Sequence, residues 1–477
     1  MEQYETVIGL EVHVELSTES KIFCSCSTKF GSSPNSNICP VCVGMPGAMP
    51  VLNKKVVEYA LAAAIALDCE INKTIIFDRK NYFYPDLPKG FQISQFYLPI
   101  GENGKVTVNT ENGTKIIGIR EIHIEEDAGK LVHDTVGNKS FVDFNRAGIP
   151  LIEIVSKPDI RSADEAVAYL EKLKMIMTYL GVSDCKMQEG SLRVDINLSV
   201  RKAGDKMFGT RTEIKNLNSF KAVYKAIESE SKRHIELLKE GKEITRETRR
   251  WDDSKNMSIR MRAKEETYDY CYFIEPDLGP IVICDDWINE IKSSMPEFRD
   301  EKIIRYQKEY NLPEYDAKVL TSSKKMADLF ESTTDLCNKP KQVANWLMVD
   351  GMRILNDKGL EVDDLNIQLA RLSKLILMVE EGKINRTVAK EVFEKVFLED
   401  TDPEEYVTEH NLGLITDENM LRALVKTVLE ENPKSVSDFK SGKEKAFGFL
   451  VGQTMKAVKG QADPVLVNKI LSELLNR

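Results

Sequence analysis

The hydrophobic periodicity of this 477-residue chain changes near residue 290. Before that point apolar and polar side chains alternate, which is typical of strands with one buried and one open face. After it, apolar residues recur at helical spacing between turns rich in Gly, Pro, Asn and Asp. Strands are predicted at residues 7–16, 115–125, 192–200 and 210–215, and later helices at 296–310, 317–331, 367–380, 389–397 and 419–430. The sequence therefore predicts an α+β protein.

Domain boundaries follow from the same change of pattern. We expect a large β-rich domain over residues 1–292, with inserted helices at 163–180 and 222–238. An all-helical domain over 293–404 and a small helical tail over 405–477 follow, with Pro403 at the second boundary. Residues 406–477 carry ten Lys and Arg against nine Asp and Glu, whereas the whole chain has 66 against 76. This charge asymmetry favours a tail that contacts RNA.

Charge and hydropathy exclude several classes of protein. A formal net charge of −10 argues against binding nucleic acid by bulk electrostatics, although it allows a local basic groove. The longest apolar stretch, residues 56–67, is shorter than the roughly 20 residues that cross a bilayer. The acidic N-terminus lacks the features of a signal or transit peptide. We therefore expect a cytoplasmic protein with no membrane partner.

Acidic side chains and two histidines occupy the open faces of the predicted strands. These positions are Glu11, His13 and Glu15 in the first strand, Glu121, His123 and Glu125 in the second, Asp195 in the third and Glu213 in the fourth, and Glu126 directly follows the second strand. If the strands line one cleft, the carboxylates suit Mg²⁺. The nearby Arg193, Arg211 and Lys215 would then suit phosphate or carboxylate groups of a substrate. The alternative is a set of unrelated solvated faces, and this is our expectation for Glu15.

Two close cysteine pairs predict a second metal site. Cys24 and Cys26 are separated from Cys39 and Cys42 by twelve residues, in a loop rich in Gly, Ser, Pro and Asn. This spacing favours a structural zinc site with four thiolate ligands. Nine cysteines in an expected reducing compartment make a disulfide framework a poor explanation. Four incidental buried cysteines are the remaining alternative.

An aromatic segment at residues 77–95 supports two interpretations. Its Phe and Tyr residues are interleaved with Arg79, Lys80 and Lys89, so they could stack on and clamp a nucleotide or an RNA end. An aromatic core with a solvated basic edge explains the same pattern. The sequence contains no Walker A motif, glycine-rich kinase loop or GxSxG nucleophile motif, so ATP chemistry would need an unusual site.

Long segments throughout the chain carry a family resemblance. They include ETVIGLEVHVEL at 5–16, VDFNRAGIPLIEIV at 142–155 and EIKNLNSF at 213–220, with others at 77–95, 261–278, 381–384 and 451–462. Together these closely resemble the B subunits of the glutamyl/aspartyl-tRNA amidotransferases. The resemblance implies a β-rich cradle domain, a helical domain and a helical tail that grips tRNA. Cys271 and Ile274 stand where the family usually has Arg and Pro, and residues 349–352 are atypical.

The resemblance also implies an enzymatic function. Such a protein uses ATP and Mg²⁺ to phosphorylate the side-chain carboxylate of Glu-tRNA(Gln) or Asp-tRNA(Asn). Ammonia from glutamine, released by a partner amidase (the A subunit), then gives Gln-tRNA(Gln) or Asn-tRNA(Asn), in a heterotrimer completed by a small C subunit. The amidase partner accounts for the missing serine nucleophile.

The resemblance implies roles for particular residues as well. Family Mg²⁺ ligands lie at positions matching Glu11, His13, Glu125 and Glu126, with further acidic positions matching Asp195 and Glu213. Glu125 is implied to be catalytic, and so is Lys89, at a position associated with an ammonia tunnel. The four-cysteine zinc site occurs in part of the family.

Two other functions are open on the sequence. One is a non-catalytic, zinc-stabilised scaffold that binds tRNA, which would have no need of Glu11, His13 and Glu125. The other is a metal-dependent nuclease or phosphatase with clustered carboxylates and no amidase partner.

Overall fold

The computed structural model describes residues 3–134, 137–263, 270–415, 417–443, 445–458 and 461–475. Residues 264–269 and 459–460, which fall within two of the resemblance segments, lie outside this range. The chain forms two compact units, Met1–Phe298 and Arg299–Arg477. The first is β-rich and the second helical, which confirms the predicted α+β class.

Strands dominate the first unit. They are β1 Tyr4–Glu15, β2 Glu70–Ile71, β3 Thr74–Ile75, β4 Asp78–Asn81, β5 Phe91–Ser94, β6 Gly101–Glu102, β7 Lys105–Thr110, β8 Gly113–Glu126, β9 Lys130–Asp134, β10 Lys139–Asp143, β11 Pro150–Ser156, β12 Leu192–Lys202, β13 Thr212–Lys215, β14 Glu247–Asp252, β15 Met257–Ala263, β16 Cys271–Ile274 and β17 Ile281–Val282. Its helices are α1 Lys54–Ala66, α2 Ala163–Leu180, α3 Phe220–Lys239 and α4 Asp285–Ser294.

A ten-stranded sheet organises this unit. Its strand order is β15-β14-β13-β12-β1-β11-β8-β6-β2, and β7 also pairs with β8. Neighbours are antiparallel except β13 and β14, which are parallel. Smaller sheets are formed by β16-β4-β5, by β9 with β10 and by β3 with β17. Strand β1 therefore lies in the middle of the large sheet, between β11 and β12.

Alternation in β1 decides which face of the sheet is buried. Leu10, Val12 and Val14 are at most 1% exposed, whereas Glu11 and His13 on the other face remain partly accessible. The apolar face packs against α1, α2 and α3 in one hydrophobic core. Helix α2 has the predicted bounds, and it begins where the Ser162 hydroxyl accepts from the backbone N–H of Glu165. The other face is left open for polar side chains.

The second unit contains helices around two separate apolar clusters. They are α5 Arg299–Glu309, α6 Glu314–Leu320, α7 Lys324–Cys337, α8 Pro340–Asn345, α9 Met352–Lys358, α10 Leu369–Glu380, α11 Arg386–Glu399, α12 Pro403–Glu409, α13 Glu418–Glu431, α14 Pro433–Lys440, α15 Lys445–Ala457 and α16 Pro464–Leu475. A π-helical turn, Trp346–Gly351, joins α8 to α9, and a 3₁₀ turn, Val362–Asp364, precedes α10. One cluster extends from Tyr306 to Val407, and the other from Leu421 to Leu475.

One sequence expectation differs in detail from this unit. The helix predicted at 317–331 is two helices, because the Ser323 side chain caps α7 by accepting from the backbone N–H of Met326. Val407 packs in the same cluster as the helices before residue 405. Within the described residues, no helix is long and apolar enough to cross a membrane.

Candidate active site

The open face of the large sheet gathers acidic residues from five neighbouring strands. In the β1–β11 pairing His13 lies opposite Glu153, and in the β1–β12 pairing Glu11 lies opposite Asp195. Strand β8 contributes Glu125 next to β11, and β13 contributes Glu213 next to β12. Because β1 lies at the centre, its two polar residues belong to two different groups of side chains.

The first group consists of His13, Glu125 and Glu153. The Nε2 atom of His13 lies 3.4 Å from Oε1 of Glu125 and 3.6 Å from Oε2 of Glu153. On the far side, Nε2 of His123 lies 2.9 Å from Oε2 of Glu153. Burial opposes ionisation of Glu153, but the two imidazoles outweigh it and hold the pKa of this carboxyl well below its usual range. The group therefore presents two carboxylates and an imidazole within one small space.

The second group consists of Glu11, Asp195 and Glu213, whose carboxylate oxygens lie within 4.8 Å of one another. Lys215 Nζ lies 2.6 Å from Asp195 Oδ2 and 3.0 Å from Glu213 Oε1. The Asn197 amide donates to Glu11 at 2.8 Å. Burial raises the pKa of Glu11, and the neighbouring carboxylates raise it further. A cation in this group would relieve that repulsion.

Glu126 lies in neither group. Adjacent residues of a strand point to opposite faces, so Glu126 turns away from the side that carries Glu125. Its carboxylate pairs with Lys89 and accepts from the backbone N–H of Ile93 at 2.8 Å. The structure thus brings together five of the six residues expected to bind Mg²⁺, in two groups, and leaves the sixth beside Lys89.

Glu153 was missed from the sequence, and His123 was placed on an open strand face but given no role. Glu153 is the single charged residue in β11, a largely buried strand whose other residues are apolar except Ser156. A carboxylate isolated in such a strand is a signal that could have identified it, because burying a charge is costly without a partner. His123 lies opposite Glu153 in the β8–β11 pairing, so the register accounts for their contact. Glu15, expected to be solvated, is partly buried, and burial raises its pKa to about 7.

The four predicted cysteines converge. The Sγ atoms of Cys24, Cys26, Cys39 and Cys42 lie within 4.8 Å of one another. The Cys39 backbone N–H donates to Cys42 Sγ at 3.1 Å. The pKa of Cys42 is lowered by the hydrogen bond from Cys24, with help from the Cys39 backbone and the charge of Lys21. The hydrogen bond to Cys42 and burial raise the pKa of Cys24, and burial raises the pKa of Cys26, so the thiolate charge is held at Cys42.

A cavity of about 180 Å³ connects this cysteine loop with Lys89 and Glu126. Lys89 Nζ lies 5.3 Å from the ring centre of Phe91. Gly44 has a φ of +69°, and a Cβ there would overlap the Lys89 side chain. The cysteine loop therefore packs directly against this lysine, which requires glycine at position 44.

Lys80 connects the first acidic group with a cluster of aromatic rings. It is carried by β4, and its Nζ lies 5.0 Å from the ring centre of Tyr270. Burial disfavours its charged form, but the carboxylates of Glu125 and Glu153 outweigh that effect and raise the pKa of Lys80. A positive charge is therefore held next to the acidic group.

Comparison with known families agrees with this arrangement. Residues 6–289 match the GatB/GatE catalytic domain, and residues 328–475 match the GatB domain. The β-rich unit with its two acidic groups is thus a catalytic domain of the GatB/GatE class. The chain belongs to the family of B subunits of the aspartyl/glutamyl-tRNA amidotransferases, which confirms the resemblance seen in its sequence.

Similar proteins match along their whole length. The B subunit of the aspartyl/glutamyl-tRNA(Asn/Gln) amidotransferase of Lachnoclostridium phytofermentans is 59% identical over 477 residues, covering 100% of both chains. The protein of the same name from Agathobacter rectalis is 59% identical over 475 residues, and that from Caldicellulosiruptor bescii is 57% identical over 478, each again covering 100% of both chains.

Proposed function

We propose that this chain activates the side-chain carboxylate of Glu-tRNA(Gln) or Asp-tRNA(Asn) with ATP, as part of a glutamine-dependent amidotransferase. The carboxylate oxygen attacks the γ-phosphorus and ADP leaves. Ammonia then attacks the acyl carbon of the acyl phosphate, inorganic phosphate leaves, and the side-chain amide remains. One observation carries the proposal: two acidic groups share one open sheet face with Lys80 and Lys215 beside them.

Both acidic groups fit divalent cations. Ligand atoms of one Mg²⁺ lie about 3 to 4 Å apart, because each is about 2.1 Å from the ion. The His13 distances of 3.4 and 3.6 Å agree with that spacing. His13, Glu125 and Glu153 would hold one Mg²⁺, and Glu11, Asp195 and Glu213 another. Bound there, Mg²⁺ would neutralise phosphate charge and make phosphoryl transfer easier.

The remaining groups hold and orient the substrates. Glu11 and His13 are two residues apart on one strand face, so their acidic groups are about 7 Å apart along β1. That spacing suits a carboxylate at one group and a γ-phosphate at the other. Lys80 and Lys215 supply positive charge for these anions, and Arg193 flanks His13 on β12. The positions of these charges are set before the substrates arrive, which lowers the cost of reorganisation during reaction.

The cysteine group fits zinc in a structural role. Thiolates arranged tetrahedrally at about 2.3 Å from an ion are about 3.8 Å apart. The Cys39 and Cys42 sulfurs are 3.9 Å apart. We infer that Cys24, Cys26, Cys39 and Cys42 hold Zn²⁺ and thereby fix the loop that packs on Lys89.

The proposed assembly is a heterotrimer of this chain, an amidase (the A subunit) and a small C subunit. Lys89 and Glu126 line the cavity beside the cysteine loop, and we assign this cavity to the delivery of ammonia. Lys89 is thus a residue of the ammonia route, and Glu125 and Glu153 belong to the activation site. The last helices, α13–α16, are assigned to tRNA binding, and the reaction is assigned to the cytoplasm.

The test is ADP release by the purified complex with ATP, Mg²⁺ and misacylated tRNA, with and without glutamine. ADP formation that depends on the misacylated tRNA, with amidated product when glutamine is added, supports the proposal. Measurable tRNA binding without ADP formation from either Glu-tRNA(Gln) or Asp-tRNA(Asn) would favour the scaffold instead.

A further inference from the structure

A series of aromatic rings, three of them exposed and two half-buried, extends from Lys80 across the small β16-β4-β5 sheet. Five rings follow one another, with centres 4.3 to 6.3 Å apart: Tyr82, Tyr270, Tyr272, Phe96 and Tyr97. Phe96 and Tyr272 are stacked, with an angle of 18° between their planes. Phe96 is 55% exposed, Tyr97 53% and Tyr270 44%. Aromatic side chains of this size usually stabilise a protein by being buried, so an exposed ordered series indicates a binding surface.

The rings are held in place by buried groups. Asp78 is fully buried, and its Oδ2 accepts from the backbone N–H groups of Phe96 at 2.7 Å and Tyr97 at 3.1 Å. Tyr272 lies opposite Lys80 in the β16–β4 pairing. The two hydrogen bonds pair Oδ2 of the buried Asp78 carboxylate and fix the backbone that carries the Phe96 and Tyr97 rings. The platform, meaning Phe96, Tyr270 and Tyr272, is therefore pre-organised for a flat ligand.

We propose that this platform stacks the unpaired 3′-terminal adenine of the aminoacyl-tRNA substrate. The inference rests on the proposed activation of a tRNA-borne carboxylate. The amino acid is esterified to the ribose of that terminal adenosine, so a path of about nine bonds, roughly 10 Å when extended, links the base to the reacting carboxylate. A surface that receives the base must then adjoin the activation site. Lys80 provides this continuity, since it contacts the platform at Tyr270 and interacts electrostatically with Glu125 and Glu153.

The openness of the platform favours an RNA end over the adenine of ATP. Small-molecule cofactors usually sit in concave sites that bury most of their surface. Unpaired RNA bases, in contrast, are commonly stacked on exposed aromatic side chains, with a nearby cation for the backbone. The platform, with its exposed rings and the nearby Lys80, resembles such a site for an unpaired RNA base. Lys80 would lie near the sugar and phosphate of the terminal nucleotide.

The test compares two tRNAs with the whole amidotransferase complex. One tRNA has the complete CCA end, and the other ends in CC and lacks the terminal adenosine. Stacking of one base predicts that the wild-type complex binds the complete tRNA about 5- to 100-fold more tightly. Phe96→Leu with Tyr272→Leu should remove most of this preference while leaving affinity for the CC-ended tRNA unchanged. Retained binding of the CC-ended tRNA also shows that the variant is folded.

Two further variants complete the design. Tyr272→Phe, with Phe96 intact, keeps an aromatic ring at this position and should therefore retain the wild-type preference for the CCA end. Phe141→Leu is the matched control, because Phe141 is 56% exposed on β10, outside the ring series.

Several results would overturn the inference. One is equal affinity of the wild-type complex for both tRNAs, and another is an unchanged preference for the CCA end in the double variant. A higher KM for ATP in the double variant, with no change in tRNA preference, would assign the platform to ATP. Loss of the amidase partner from the double variant during copurification would assign it to the subunit interface. ADP release by the wild-type complex is measured in parallel. Its absence refutes the proposed function, whereas normal ADP release with an unaltered CCA preference in the double variant refutes the platform alone.

Discussion

Nε2 of His13 lies 3.4 Å from Oε1 of Glu125, across a sheet in which β11 separates the strands that carry them. Glu153 lies on β11 between them and approaches the same imidazole at 3.6 Å. Glu11, two residues earlier on β1, belongs to the second acidic group. The central strand thus joins the two acidic groups at a spacing set by the backbone.

Glu153→Gln should lower misacylated-tRNA-dependent ADP release by about 100-fold or more, since comparable losses follow removal of a preorganised charged group. The amide keeps the shape of the side chain but removes its charge. Affinity for Mn²⁺, used as a spectroscopic substitute for Mg²⁺, should fall together with activity, and tRNA affinity should stay unchanged. Glu228→Gln, on the exposed face of α3, is the control. Full activity in Glu153→Gln would exclude this residue from the site.

Cys39→Ser should abolish stoichiometric zinc in the purified chain and lower its Tm by several degrees, because a four-thiolate site contributes directly to folding. Metal content is measured by mass spectrometry and Tm by calorimetry. Cys284 is exposed and lies outside the cysteine group, so Cys284→Ser should retain zinc. Equal zinc content in the two variants would contradict the assignment.

Lys89→Met should reduce amidation with glutamine much more than amidation with added ammonium salt, if the cavity beside Glu126 carries ammonia. Product formation with the two nitrogen sources is compared in the same complex. The variant leaves the buried Glu126 carboxylate without its cation, at a cost of about 3 to 5 kcal/mol. The double variant Lys89→Met, Glu126→Gln removes that unpaired charge and serves as the stability control. A parallel loss with both nitrogen sources would argue against a delivery role.

Acid should destabilise the β-rich unit through Glu230. Burial opposes its ionisation, but hydrogen bonds from His234, Arg233 and Ser258 outweigh burial and lower its pKa from 4.5 to about 2. This stabilisation, about 3 kcal/mol, is present above pH 4.5 and is lost as the pH falls toward 2, with about 2 kcal/mol gone by pH 3. In urea unfolding followed by fluorescence, Glu230→Gln should lose correspondingly less stability between pH 6 and pH 3. Identical pH dependence in both proteins would contradict this.

Removing residues 413–477 should weaken tRNA binding by at least about tenfold and leave tRNA-independent properties of the β-rich unit intact. The truncation begins after α12, because Val407 and Leu412 pack in the preceding apolar cluster. Affinity for tRNA is measured by filter binding, and zinc content and Tm report on the β-rich unit. Unchanged tRNA affinity would remove the tail from the binding surface.

Much of the fold follows from local pattern. The alternation in β1 and β12 and the periodicity of α2 reflect which side chains are buried, so their faces were predictable. The break between α6 and α7 depends on one capping serine within a periodic segment and was missed. Local cues are ambiguous at such positions, because apolar spacing continues through the break.

The candidate site was predictable only in part. Glu11 and His13 were identifiable because one strand face carries both. Their partners depend on strand order and register, which place Glu153 beside His13 and Glu213 beside Asp195. A single sequence does not specify these long-range pairings. Glu126 shows that closeness in sequence can also mislead. It is adjacent to Glu125, and adjacent residues of a strand point to opposite faces of the sheet.

The most direct test of carboxylate phosphorylation is an isotope measurement. Glu-tRNA(Gln) is charged with glutamate in which both oxygens of the side-chain carboxylate are ¹⁸O, and the complex converts it with unlabelled ATP and glutamine. If that carboxylate attacks the γ-phosphorus, its bridging oxygen leaves with phosphate, so each inorganic phosphate should contain one ¹⁸O by mass spectrometry. Gln-tRNA formed with unlabelled phosphate would contradict activation through an acyl phosphate.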